Sequence, residues 1–233
     1  MDMTLASLAH ALADPVRLVI LHHLMGGPTT VSDIVSVTGG SQSNISNHLA
    51  ILRESKLVRS TKQGRHHVYE IRDQRVAQMI EAMAVLTETV PEAVRQTPAL
   101  ARARTCYDHL AGQLGVDLFA SLLSKEAVTE PKLLRTLKNP GDAVELGPHG
   151  RSVFEQFGLD VDDIVRGRGP YAFACRDWTE HKPHLGGRLG AAMWGRMIEL
   201  GWVERQPGTR QVLVTPLGRD ELKARFGVQV SLS

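Results

Sequence analysis

Cysteine is scarce: Cys106 and Cys175 are the whole complement of a 233-residue chain. Two thiols cannot build a disulfide framework, which fits a reducing compartment and leaves each sulfur to be explained individually. Long apolar runs are missing too. Stretches such as Leu18 to Leu21 stop far short of the roughly 18 residues a membrane span needs. The N-terminus lacks the basic, apolar, small-residue succession of a secretion signal. A cytoplasmic protein with no membrane partner is therefore expected. Nor does one sign of charge dominate: 27 Lys and Arg oppose 25 Asp and Glu, a net charge of +2. With 42% hydrophobic and 22% charged residues the chain is close to a globular average, which excludes disorder, collagen and a long coiled coil. At about 100–200 residues per domain, one or two domains fit.

The near-neutral total conceals an uneven distribution. Between positions 53 and 75, Arg53, Lys56, Arg59, Lys62, Arg65, Arg72 and Arg75 face only Glu54, Glu70 and Asp73, a local excess of +4. A basic stretch of this kind is the electrostatic footprint of a nucleic-acid reader, and averaging over the whole chain hides it.

Around that stretch the periodicity predicts short helices followed by a hairpin. Leu5, Leu8, Leu12, Leu18, Leu21 and Leu24 recur at helical spacing, interrupted by Asp14-Pro15, a cap followed by a first-turn proline. Gly26-Gly27-Pro28 ends that helix. Thr30 with Asp33 has the form of a capping box, Gly39-Gly40 closes the short helix it opens, and Ser41 caps the next. On this next helix Ile45, Leu49 and Leu52 must face a core. The remaining surface carries Gln42, Ser43, Ser46, Asn47 and Arg53, with His48 near its edge; such short or planar polar groups suit base edges and phosphates. Leu57–Thr61 and His67–Ile71 alternate as strands around the basic tip Lys62-Gln63-Gly64-Arg65. Helix, glycine turn, polar-faced helix and basic hairpin, in that order, make a winged helix-turn-helix.

The segment from Ser41 to Arg53, the following Leu57-Val58, the wing residues Gly64-Arg65-His66-His67-Val68-Tyr69 and the earlier Leu12-Ala13-Asp14-Pro15-Val16-Arg17-Leu18 resemble the ArsR/SmtB family of bacterial repressors. The resemblance covers about the first ninety residues. It implies a homodimer on a palindromic double-stranded operator, with the polar-faced helices in successive major grooves, Gln42, Ser43, Ser46, Asn47 and His48 near the bases, Arg53, Lys56, Arg59 and Lys62 on phosphates, and Arg65 on the minor groove or a phosphate. It also implies that the Met-rich helix from Arg75 to Val90 lies at the dimer interface. The cysteines near the third helix and the His and carboxylate ligands on the last helix, through which many relatives sense metals, are not matched here. A sensor, if there is one, belongs to the remaining 143 residues.

The expected organisation is a reading domain over 1–90, a linker over 91–100 between Val90-Pro91 and Thr97-Pro98, and a second domain over 101–233 for sensing or dimer support. The fold class is mainly α with small β-wings (α+β). Ala99 to about Gln113 reads as a helix, on which Cys106 and His109 share a face. An internal repeat relates Val144–Arg151 to Val212–Arg219, each a strand, a Pro/Gly turn and a helix, so winged-helix-like elements are expected in the second half. Cys106, Asp108 and His109, and Cys175, Asp177, Trp178, His181 and His184, concentrate the reactive side chains. They admit three readings: a zinc or other soft-metal site at Cys106, His109, Cys175 and His184, if the two stretches meet; a redox thiol pair; or ordinary packing, including an organic-ligand pocket lined by Tyr107, Tyr171, Trp178 and Trp202.

The function expected from these features is a DNA-binding transcriptional repressor released by a small-molecule or metal effector. A constitutive architectural or partner-docking DNA-binding protein is the alternative. An enzyme with a DNA-binding head is disfavoured, because no nucleotide loop follows a strand and no serine elbow or metalloprotease motif occurs.

Overall fold

Capping chemistry sets the first elements. In the computed structural model, which describes residues 4–64, 66–87, 98–132, 141–207 and 209–230, Thr4 and Ser7 cap α1 (Leu5–Leu12) reciprocally. Asp14 caps α2 (Pro15–Leu24) by accepting the Arg17 N–H at 2.9 Å, and Pro15 fills the first position, where no N–H is needed. Thr30 and Asp33 form the expected box at α3 (Val31–Thr38), which Gly39 ends in the left-handed region at φ 68°. Ser41 caps α4 (Gln42–Glu54). A short strand β1 (Thr29–Thr30) joins β2 (Val58–Gln63) and β3 (His66–Ile71) in a sheet of order β1-β3-β2. The β2–β3 hairpin runs in register from Val58 opposite Ile71 to Gln63 opposite His66, with Gly64 in its turn. Helix α5 spans Gln74–Thr87.

Two compact units result: Met1–Pro98 with Pro207–Arg210, and Ala99–Gln206 with Gln211–Ser233. In the first, Ile20, Leu21, Ile34, Ile45, Leu49, Leu52 and Ile80 close a core under the helices. Of the expected linker, residues 91–97 lie outside the described residues, as does Arg65. Its last positions belong to a short helix, α6 (Pro98–Arg102).

The second unit corrects the helix expected over Ala99 to Gln113. That stretch contains α6 and then a two-stranded ribbon, β4 (Arg104–Cys106) and β5 (His109–Ala111), joined by the two-residue turn Tyr107-Asp108 with Tyr107 at φ 59°. Ala103, Cys106 and Leu110 have helical spacing. The extended chain wins because it buries Arg104 against Asp177 and brings the Gly112 N–H to the same carboxylate. Helix α7 (Gly112–Ser124) follows directly.

A second ribbon and helix repeat this arrangement: β7 (Phe173–Arg176), β8 (Pro183–Gly186) and α10 (Gly187–Glu199). Between them lie β6 (Asp142–Ala143), paired with β7, then α8 (Gly150–Gln156) and α9 (Val161–Arg166). After α10 the chain forms β9 (Val203–Arg205), β10 (Val212–Val214) and α11 (Pro216–Phe226). The β9–β10 pairing of Val203 with Val214 has its counterpart in a single bridge between Val128 and Leu146. Both copies share one core: Leu114, Phe119, Leu122 and Phe154 from the first, and Leu189, Trp194, Met197 and Leu222 from the second.

Candidate nucleic-acid interface and a buried cysteine–histidine cluster

In the first unit the inward row Ile45, Leu49 and Leu52 leaves Gln42, Ser43, Ser46, Asn47 and Arg53 of α4 exposed. The Ser46 hydroxyl donates to the Gln42 carbonyl at 2.8 Å, so its oxygen faces outward as an acceptor. His48 departs from this face. Its side chain is only 14% exposed and Nδ1 lies 3.6 Å from Asp14 Oδ1, so it supports the α2 cap. The Arg17 N–H bond, and the guanidinium beside it, hold the Asp14 carboxyl below its usual range against the opposing effect of burial. Beyond the helix, Lys56 and Lys62 are exposed, whereas Arg59 is held by Glu70 across the hairpin at 2.9 Å. Arg75 is paired with Asp73. Part of the local positive excess is thus neutralised on the wing itself.

In the second unit the two reactive stretches meet. One ligand atom from each of Cys106, His109, Cys175 and His184 lies within 4.8 Å of all the others. The ribbons explain why. Cys106 sits directly opposite His109 in one, and Cys175 directly opposite His184 in the other. Directly opposed residues project from the same face of a ribbon, so each ribbon presents a thiol and an imidazole side by side. The imidazoles meet tip to tip, Nε2 to Nε2 at 3.2 Å.

Behind each imidazole stands a carboxylate. His109 Nδ1 is 3.1 Å from Asp108 Oδ1, and His184 Nδ1 is 3.2 Å from Asp177 Oδ2. Asp108 is exposed, but Asp177 is fully buried and heavily bonded. It accepts from Arg104 Nη2 at 2.8 Å, the Gly112 N–H at 2.7 Å and the Thr179 N–H at 2.9 Å. Burial alone would raise the Asp177 carboxyl, yet Arg104 and His184 beside it keep it well below the usual carboxylate range. Burial would lower His184, but Asp177 and Cys106 outweigh it and push the imidazole up to about 9. His109 is also raised, with Asp108 and Cys106 opposing its burial.

The other two candidates stand apart from the cluster. Trp178 is buried with the Arg104 guanidinium 4.9 Å from its ring centroid, and His181 occupies a loop bend at φ 55°. The aromatic pocket is not formed: Tyr107 is 61% exposed, while Trp202 packs on Phe157. The void lined by Leu110, Leu118, Leu185 and Met193 holds about 10 Å³, room for one water and not for an organic ligand.

Sequence reasoning overlooked Arg104, and also a closer repeat. His109-Leu110-Ala111-Gly112-Gln113-Leu114-Gly115 matches His184-Leu185-Gly186-Gly187-Arg188-Leu189-Gly190 at five of seven positions. Its last glycines are sites of close approach. A Cβ on Gly115 would come within 2.6 Å of the Leu110 carbonyl and 3.4 Å of the His184 Cβ; one on Gly190 would come within 2.3 Å of the Leu185 carbonyl and 3.2 Å of the His109 Cβ. Each copy's helix therefore lies against the other copy's histidine.

Comparison with known proteins bears on both units. The family described as bacterial regulatory protein, arsR family, matches residues 14–60. The uncharacterized HTH-type transcriptional regulator YdfF of Bacillus subtilis is 30% identical over 236 residues, covering 99% of this chain and all of that protein. The HTH-type transcriptional regulator NmtR of Mycobacterium tuberculosis is 42% identical over 76 residues, 33% of this chain and 63% of that protein. Among solved structures, reduced HlyU from Vibrio cholerae aligns at 34% identity over 35% of this chain and 85% of its own, with a TM-score of 0.33.

Proposed function

The chain belongs to the ArsR family of bacterial regulatory proteins and is a DNA-binding transcriptional regulator; from that premise we propose that it represses as a homodimer on a palindromic operator. In this reading the exposed side of α4 enters the major groove, where Gln42, Ser43, Ser46 and Asn47 meet base edges. Arg53, Lys56 and Lys62 engage phosphates, with the wing beside the duplex. The reading takes the protein as non-catalytic, with the second unit as the part through which an effector acts.

The observation that carries it is the chemistry of α4. Three apolar residues bury one side, and short, uncharged hydrogen-bonding groups occupy the other, where a merely solvated helix would favour Glu and Lys. The deciding experiment is operator binding by fluorescence anisotropy, using the DNA upstream of the protein's own gene against a scrambled duplex. Affinity should fall steeply between 50 and 200 mM salt, as counterion release requires. A flat salt response, or equal affinity for the scrambled duplex, would overturn the proposal.

A further inference from the structure

We propose that Cys106, His109, Cys175 and His184 form a closed tetrahedral site for a borderline-soft divalent transition-metal ion of the zinc type. The ion would clamp the two halves of the duplicated second unit, with Cys175 as its solvent-side ligand. This site stands independently of how the first unit reads DNA.

Geometry makes the first argument. Metal–nitrogen bonds of about 2.0–2.1 Å at a tetrahedral angle place two nitrogens roughly 3.3 Å apart, and metal–sulfur bonds of about 2.3 Å place two sulfurs roughly 3.8 Å apart. The Nε2 atoms stand at 3.2 Å, and no separation in the cluster exceeds 4.8 Å. Only small side-chain movements are needed to complete the tetrahedron.

Ligand preparation makes the second. A metal-binding imidazole needs its second nitrogen engaged, so that the tautomer is fixed and the lone pair points at the ion. Asp108 faces Nδ1 of His109 and Asp177 faces Nδ1 of His184, and in both rings Nε2 is the atom turned to the centre. The Asp177 carboxylate is itself held by Arg104 and two backbone N–H groups, so the negative charge 3.2 Å from His184 Nδ1 is fixed in place, although the two are not aligned as a hydrogen bond.

Charge makes the third. Cys106, His109 and His184 are buried, where an uncompensated charge is costly. Binding M²⁺ displaces to solvent the protons of both thiols and any proton held on the ligating imidazole nitrogens, and leaves two thiolates, two neutral imidazoles and the ion, for a net charge of zero at the centre. Two sulfurs and two nitrogens favour zinc-type ions over magnesium or calcium, which require oxygen. With four protein ligands no coordination position remains for a substrate, so the site suits a structural or sensing ion and not a catalytic one.

The duplication makes the fourth. Each copy supplies one Cys and one His from the same two places in its ribbon, and the close approach of Gly115 to His184 and of Gly190 to His109 sets each copy's helix against the other copy's ligand. Of the four ligands Cys175 alone is half-buried, which marks the side by which an ion enters.

The test uses the full chain, stripped with chelator under reducing conditions and titrated with Co²⁺. One equivalent should bind, giving the intense visible bands of a tetrahedral ion and a near-ultraviolet thiolate charge-transfer band, and Zn²⁺ should bleach both. Cys175→Ser, checked for folding by circular dichroism, should lose part of the charge-transfer band and weaken Co²⁺ binding more than about 100-fold, beyond the range seen for changes outside the ligand shell. If that variant does not fold, the thiolate band of the wild-type chain decides alone. A pale octahedral spectrum, no stoichiometric uptake by the folded reduced chain, or a spectrum unchanged in folded Cys175→Ser would overturn the site.

Discussion

Arg104 and Asp177 are both fully shielded from solvent and meet at 2.8 Å, Nη2 to Oδ1, joining the ribbon of one copy to the loop that follows the first strand of the other. The guanidinium also donates to Thr179 Oγ1 at 3.0 Å and lies over the Trp178 ring. Breaking a buried pair from one side is costly because the remaining charge is left without compensation. Arg104→Met is therefore expected to destabilise the second unit by about 3–5 kcal/mol. Trp178, Trp194 and Trp202 are the only tryptophans in the chain and all lie in this unit, so urea unfolding followed by tryptophan emission reports on it alone. A loss below about 1 kcal/mol would show that the pair contributes no more than a surface salt bridge.

The glycine contacts give a symmetric expectation. Gly115→Ala and Gly190→Ala each force a methyl group onto a backbone carbonyl and toward the opposite copy's histidine. Overpacking of this kind costs about 1–3 kcal/mol. Because the carbonyl clashes are alike, at 2.6 and 2.3 Å, both variants should lower stability by similar amounts, and both should weaken Co²⁺ uptake, since relieving the clash shifts each helix against the ligand histidine it lies on. Loss of stability with unchanged metal affinity would separate the packing from the cluster.

What was legible in the sequence followed the range of the forces involved. The Thr30–Asp33 box, the Asp14 and Ser41 caps and the apolar row of α4 act within a few residues, so residue types and spacing were enough to place them. The cluster depends on pairings across 65 to 75 residues, which periodicity cannot register. Reading Ala99 to Gln113 as a helix put Cys106 and His109 together for the wrong reason; they are cross-strand neighbours instead. The closer repeat was hidden by unequal turns. Cys106 and His109 are separated by a two-residue turn, but Cys175 and His184 by a longer loop, so aligning the two stretches on their cysteines loses register before the histidine is reached. Arg104 carries no local signal of its own, and its burial makes sense only beside Asp177.

On the wing, the Arg59–Glu70 pair neutralises one positive charge, which in the proposed reading would otherwise face DNA. Glu70→Gln should release Arg59, strengthen binding at low salt and steepen the salt dependence by up to about one phosphate contact. Lys62→Ala should act in the opposite sense, weakening binding alike on operator and scrambled duplex. Asn47→Ala should cost about 1–3 kcal/mol on the operator and little elsewhere, since in the proposed reading it loses a base contact and no charge. Anisotropy titrations of the three variants at several salt concentrations distinguish these roles; an Asn47→Ala penalty equal on both duplexes would remove it from base reading.

The last expectation links the two units through thermodynamics alone. If ion occupancy changes operator affinity by some factor, operator binding must change ion affinity by the same factor, and effector couplings typically span about 5–150-fold. Operator affinity measured with chelated and Zn²⁺-loaded protein should differ within that range, and Zn²⁺ affinity measured with and without operator should return the same ratio. Cys106→Ser and Cys175→Ser should still bind operator, because neither residue lies in the first unit, but should show no response to Zn²⁺. Equal operator affinity in the stripped and loaded states would make the ion a permanent cross-link. The effector of this regulator would then be something other than the metal that its second unit is built to hold.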